Sequence, residues 1–535
     1  MALQRSPSVL EDSVTGARRR LETVMELERA LAADAKKVVR VVGSGEILAG
    51  FGHILQQSTG SEETYSLSKQ ADFIPCFVSH SWATGRWMKT IAIAYYLHKG
   101  PAVALSAACL LLAIAWFALT PRDGLCLPPS EFGVWTGDVL RLMPITMLPG
   151  VVFFVSLFFA YLLPGVSRDC FLDKVCIHQT DMHLKKQAID SLDLFLRFSR
   201  RLLVLWSPEY PTRLWCAYEL ATFIKIHPDG ASRVDVMPGW LPQLVITMNV
   251  FVAIAMPFVP LTVTGPAFAY TADALGAYFG YIVNLAAMLL VLTAIGTVFL
   301  YLKVYQHTEM LRQLRGFRIA DASCANPQDV TYVHGLIDVM WSTTPQANDG
   351  KERFEHFVRV ELASQLESAF GARTRLPYTS SLIAFLPVFG VCGMLALVCD
   401  AHMLEMWGYV GADGAPALRS WGLRWLWYSV ELWFFANPIS TVFAQVALAW
   451  CVDAGRGAAS CILVGTLAYW GSLMPLIALI VKSVMYEPVE GSAAEATGAA
   501  LLLVLTLVCY PPKSLRSLLR LDGEDGQVPP TTALL

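Results

Sequence analysis

Between Pro101 and Leu119 the chain carries no charged side chain. A helix of that length rises far enough to cross roughly 30 Å of hydrocarbon. Comparable apolar runs recur at about 143–163, 241–263, 280–302, 380–399, 430–451, 459–481 and 496–510, the last short for a full crossing. No soluble core of this size could bury so many uninterrupted runs. The balance of the 535 residues agrees: 55% are hydrophobic and only 16% charged, against roughly a quarter charged in soluble domains. The expectation is a polytopic α-helical membrane protein of about eight spans.

Charge orders the connections. Basic residues collect in 164–240 (Arg168, Lys174, Lys185, Lys186, Arg197, Arg200, Arg201, Arg213, Lys225, Arg233) and in 303–378 (among them Lys303, Arg312, Arg315, Arg353 and Arg359). The turn at Arg456 and the tail with Lys513, Arg516 and Arg520 are basic too, whereas the intervening connections are neutral or acidic. Basic segments stay cytosolic, so an even number of spans leaves both termini in the cytosol. Residues 1–70 read as an amphipathic helix (Leu21, Val24, Leu27, Leu31 at helical spacing) followed by a Gly-rich linker over 41–70. The N-terminus lacks the apolar core of a cleavable signal.

Several function classes drop out. The net charge of −3 gives no basic field for nucleic acid. The twelve cysteines form no CxxC pair and no zinc-like Cys/His spacing, so free thiols and no metal are expected. Neither GxxxxGK[ST] nor a strand-to-helix GxGxxG occurs.

Within the polar stretches, Phe73–Ser79, Cys170–Asp173, Arg201–Ser207 and Arg233–Met237 read as strands. Helical patterns over Lys186–Phe198 and Arg213–Ile226 separate the last three. Such alternation specifies a short parallel sheet with helices on its faces. Ligands then sit beyond the carboxyl ends of the strands, here Ser79–Trp82, Asp173–Gln179 and Ser207–Tyr210. Residues 303–378 read as two or three helices that could dock on this sheet.

Phe77-Val78-Ser79-His80-Ser81, Phe171-Leu172-Asp173, and Leu203-Val204-Leu205-Trp206-Ser207-Pro208 followed by Leu214-Trp215-Cys216-Ala217-Tyr218-Glu219-Leu220 carry a resemblance. Together they resemble the first three strands and the Trp-Cys-x-x-Glu-Leu helix of Toll/interleukin-1 receptor (TIR) domains. Asp173-Lys174-Val175-Cys176-Ile177-His178-Gln179 is also similar to fungal heterokaryon-incompatibility domains, and the layout looks like that of multi-spanning TIR-like proteins of protists. The domain would occupy 71–99 and 164–240, split by a transmembrane hairpin at 100–163. Spans three and four (241–302), a cytosolic helical region (303–378), spans five to eight (379–510) and a tail (511–535) would follow. After Met237 the chain enters its third apolar run, which leaves little room for the family's fifth strand and last helix.

The resemblance implies self-association with other TIR-like domains and, in the TIR enzymes, cleavage of NAD by the glutamate matching Glu219. No resident cofactor is implied, and NAD would be the substrate. Trp215 and Glu219 lie four apart and share a helix face, so the ring could stack a base beside the acid. In the alternative, Trp215 packs the core and Glu219 pairs with Arg213 or Lys225. Ser79, Ser81, Trp82 and Asp173 are the other candidate ligand contacts. Asp173 could equally cap the loop that follows it, the reading its position favours. Cys176 and His178 form the less favoured nucleophile pair. Within the apolar runs Asn249, Asn284, Glu431 and Asn437 are polar, which keeps open a transporter or channel regulated by the TIR-like domain.

Overall fold

The structure, a computed structural model, describes residues 39–119, 135–255 except 228, 274–324, 327–343, 349–369, 435–485 and 491–510, with single positions at 378, 382 and 431. The expected N-terminal amphipathic helix, the fifth span apart from position 382, and the tail after 510 lie outside these residues.

The described chain begins with β1 (Arg40–Gly43), α1 (Ser44–Gly52), α2 (Glu62–Ser66), β2 (Lys69–Gln70) and β3 (Phe77–His80). Two long helices follow, α3 (Arg86–Leu119) and α4 (Trp135–Phe159). Next come β4 (Asp169–Cys170), α5 (Asp173–Cys176), α6 (Met182–Asp190), α7 (Leu192–Arg197), β5 (Leu202–Trp206), α8 (Leu214–Ile226) and β6 (Val234–Pro238). Beyond them lie α9 (Trp240–Ala255), α10 (Ala274–Arg315), α11 (Pro327–Trp341), α12 (Gly350–His356) and α13 (Ala363–Ala369), the last two joined by the π-helical turn Phe357–Leu362. The described chain closes with α14 (Asn437–Asp453), α15 (Ala458–Met485) and α16 (Gly491–Cys509). Two compact units result. The first takes the described residues within 1–99, 158–239 and 310–369; the second takes those within 100–157, 240–309 and 370–535.

In the first unit β3, β5 and β6 form a parallel sheet in that order, with Phe77 opposite Leu202 and Leu205 opposite Met237. Phe171 adds to the free side of β3: its N–H donates to the Cys76 carbonyl at 2.8 Å, and its own carbonyl accepts from Val78 at 3.0 Å. The central strand β5 is Leu-Leu-Val-Leu-Trp and buried throughout. That is the composition of a strand covered on both faces. Each such side chain contributes roughly 1.5–3 kcal/mol on burial.

Two expectations need correction. Residues 41–70 are structured. β1 pairs antiparallel with β2 and with β4, and Val39, Val41, Val42, Ile47, Leu48 and Leu55 are buried. The glycines that suggested a linker serve a tight turn, in which Gly50, Phe51 and Gly52 all have positive φ. The expected strand over Cys170–Asp173 stops early, and Asp173 opens α5 instead of ending a strand.

The sheet ends at β6, and helices from later in the chain supply the missing cover. α11 and the π-helical turn pack on α8, and α13 packs on β6. Thr212, Leu214 and Ser323 exchange backbone hydrogen bonds at 2.9 and 3.2 Å. Lys225 donates to the Met340 carbonyl at 2.7 Å and lies 4.0 Å over the Trp341 ring.

The described residues of the second unit are helical. α14 and α15 pack along each other, and Leu300, Val304, Ile439, Leu448, Cys461, Tyr469 and Leu502 join in one apolar core. Gly465 permits the closeness, since a Cβ there would meet Leu448 Cγ and Thr297 Cγ2 at 2.8 Å each. Polar groups point inward: Lys303 donates to Gln445, and the Tyr469 hydroxyl donates to Asn437 at 2.6 Å. Leu111, Leu112, Trp116, Trp450, Leu463 and Leu467 are exposed. Among the described residues two helical stretches are long and apolar enough to cross a membrane, Arg86–Ala113 and Ala458–Leu476, with shorter apolar helices at Met147–Leu162 and Ala500–Cys509.

Candidate functional site

The carboxyl end of β3 is the hub. Ser79 sits two residues from the pairing of Phe77 with Leu202, which fixes its position along the sheet edge. Its hydroxyl donates to Glu219 Oε2 at 2.6 Å and lies 2.7 Å from the Tyr210 hydroxyl. Tyr210 in turn donates to the Cys216 carbonyl at 3.2 Å. Glu219 arrives on α8, which packs on both β3 and β5. One strand end, one turn and one helix therefore meet at a single carboxyl.

That carboxyl is unusual. Protein atoms surround it, although the residue keeps some exposed surface. Burial pushes its pKa up to about 8; Asp173 adds to the rise, and the Ser79 hydrogen bond opposes it. A glutamate in this state is largely protonated at neutral pH and ionises when a positive charge arrives. Burial also pushes the Tyr210 hydroxyl and the Cys216 thiol up, so both remain protonated.

Beside this lies a second cluster. Trp82 Nε1 donates to Asp173 Oδ2 at 2.9 Å, while Asp173 Oδ1 accepts from the Lys174 N–H at 2.7 Å. Asp173 therefore fastens its own turn and also holds the tryptophan. The His80 ring packs edge-on to Trp82 at 4.5 Å, and the Lys89 ammonium lies 4.4 Å from the Trp82 ring centre. Lys174 reaches back to the carbonyls of Ile54 and Gln57 at 3.0 and 2.9 Å, pinning the segment after α1 against α5.

The structure brings Ser79, Trp82, Asp173 and Glu219 to one edge. It gives Ser81 a local task, since its hydroxyl accepts from the Ala83 N–H at 3.2 Å. Trp215 is half-buried and packs edge-to-face on Tyr218, with ring centres 6.1 Å apart. Arg213 and Lys225, the alternative partners for Glu219, bond Ser323 and Met340 instead. Cys176 and His178 do not pair. Burial pushes the thiol to about 12, far from a thiolate. His178 accepts from the Asp181 N–H at 3.0 Å and faces Glu62 at 2.9 Å. Sequence reasoning placed His80 and Tyr210 on the ligand edge without giving either a role, and it missed Lys89. The three converge only through the fold.

Among the described residues no cluster of three His, Cys, Asp or Glu is placed to hold a metal ion. No curated protein and no solved structure matches the chain. The family model described as TIR domain matches residues 154–238, a stretch that contains β4, β5, α8 and β6 and with them Asp173 and Glu219. This match, together with the parallel order β3-β5-β6 and the glutamate on α8, establishes that the chain carries a TIR-like domain.

Proposed function

We propose that this chain is a multi-pass membrane protein whose TIR-like domain signals by associating with its own kind, and that its Glu219 site cleaves the nicotinamide–ribose bond of NAD. The observation that carries the enzymatic half is the Glu219 carboxyl, held by Ser79 at the carboxyl edge of a parallel sheet with its pKa raised to about 8. Bound nicotinamide is cationic. It would draw Glu219 into its ionised form, and the new carboxylate would face the developing oxocarbenium ion. The C1′–N bond breaks with its electron pair going to the nicotinamide nitrogen. Water attacks C1′ and its proton leaves through Glu219. Nicotinamide, ADP-ribose and a proton result.

The membrane half is supported by side chains that invert the soluble pattern. Leu111, Leu112, Leu463 and Leu467 are exposed while Lys303, Asn437 and Gln445 are buried, an arrangement suited to hydrocarbon surroundings. Near the start of α3 an aromatic cluster points the same way. Phe51 packs with Trp87, Phe158 and Phe159 at 5.6–6.2 Å, and Trp87 remains 53% exposed. Aromatic rings of this kind favour the water–lipid boundary.

The test uses the purified full chain in nanodiscs, incubated with NAD. Wild type should release nicotinamide, and Glu219→Ala should lose roughly 10²- to 10⁴-fold in rate. Because the ionised carboxyl is needed, kcat/KM of the wild type should climb between about pH 6 and pH 9. Equal rates for the two proteins would sink the enzymatic reading.

A further inference from the structure

Lys89 presents an unexplained charge. It is 1% exposed, and its ammonium has no hydrogen-bond partner among the described residues. The ammonium lies against the face of Trp82 and within electrostatic reach of the Asp173 carboxylate and of Lys174. His80, against the same ring, is also buried with its Nε2 unpartnered. A protein ordinarily satisfies or neutralises a group buried this deeply. Asp173 supplies a negative charge that both groups feel, yet its two oxygens are engaged by Trp82 Nε1 and the Lys174 N–H, which leaves the Lys89 ammonium open to an anionic ligand.

The backbone favours the same ligand. Lys89 stands in the first turn of α3, the helix that follows β3. The opening turn of a helix leaves N–H groups without intrahelical acceptors and carries partial positive charge. Phosphate groups bind where such a turn meets the carboxyl edge of a sheet. Here Thr84 fixes the turn by donating to Ser207 Oγ at 2.8 Å. Among the cations near this edge, Lys174 is occupied by the carbonyls of Ile54 and Gln57, which leaves Lys89 as the ammonium available to a ligand.

We propose that Lys89 is a phosphate-binding residue of the Glu219 site, covered by the Trp82 ring when empty and uncovered for the diphosphate of a dinucleotide when that ring moves off. The assignment of a dinucleotide rests on the NAD reading; the phosphate site itself does not. Trp82 is held by a hydrogen bond to Asp173, the His80 ring, and the ammonium groups of Lys89 and, at 6.0 Å, Lys174, and a phosphate would replace the Lys89 contact.

The experiment measures binding to the full chain in nanodiscs for three probes: NAD, inorganic pyrophosphate, and nicotinamide riboside, which lacks phosphate. The proteins are wild type, Lys89→Met and Lys89→Arg, each checked for an unchanged melting transition. Lys89→Met should weaken NAD and pyrophosphate roughly ten- to hundredfold, leave nicotinamide riboside unaffected, and be rescued in large part by Lys89→Arg. Unchanged NAD and pyrophosphate binding in Lys89→Met overturns the site while leaving the NAD reading standing. Equal weakening of all three probes also overturns it, since that marks a structural residue. Lys89-dependent binding of pyrophosphate without binding of NAD keeps the site and removes the dinucleotide. No binding of any probe by wild type removes both.

Discussion

At the scale of the residue, Glu219 links the fold to pH. In the unfolded chain it ionises near the ordinary glutamate value, about 4.3; folded, it ionises at about 8 because burial disfavours the charge. Between those values the folded chain holds a proton that the unfolded chain has released. Its contribution to stability is therefore fully present below the lower value and is lost as pH rises through the upper one. Glutamine at 219 stays neutral and still accepts from Ser79. Melting temperatures of wild type and Glu219→Gln should thus agree at about pH 3.5 and separate progressively up to pH 8.5, with the variant the more stable; parallel curves would mean that the carboxyl is not held protonated. Glu219 and Asp173 were legible in the sequence because each sits at a fixed offset from an apolar strand or helix pattern. The role of Tyr210 was not, since its hydroxyl reaches Ser79 across 131 positions of sequence. Trp215 was read from spacing alone, and spacing fixes a helix face without saying which neighbour that face meets.

At the scale of the element, α8 matters most because it carries the carboxyl. One side rests on β3 and β5, and another on α11 and the π-helical turn. Trp341 anchors that second contact, packing on Phe354 at 5.4 Å and Phe357 at 4.7 Å beneath Lys225. Trp341→Ala should cost roughly 3–5 kcal/mol and speed amide exchange across 214–226. Lys225→Met, at an exposed position, should cost less than about 1 kcal/mol. Unchanged exchange in α8 after Trp341→Ala would show that α11–α13 do not support the site. The helical pattern of 303–378 was visible, whereas its partner was not, because an amphipathic face specifies burial and not against what. β1 escaped notice for another reason. Four residues among glycines are too few for a two-residue period to register, and their pairing partners at 69–70 and 169–170 are shorter still.

At the scale of the whole molecule, the proposed arrangement in a membrane rests on charge asymmetry. The connections at about 122–134, 265–279 and 400–424 are poor in Lys and Arg relative to 164–240 and 303–378. The side on which the basic segments lie should also hold Glu219, Asp173 and Lys89, since all three belong to the unit built from those segments. NAD would then be drawn from the cytosol. N-glycosylation acceptors placed one at a time into these five segments test the topology in cells whose secretory pathway adds glycans. Acceptors at 122–134, 265–279 and 400–424 should be modified, and those at 182–190 and 343–349 should stay bare. The proposed first two spans decide the outcome, because α3 and α4 separate β3 from β4 and as spans would have to return the chain to the side it left. A glycan at 182–190 with none at 122–134 would invert the topology and place the Glu219 site away from the cytosol. Glycans on both would show that α3 and α4 do not form a transmembrane hairpin.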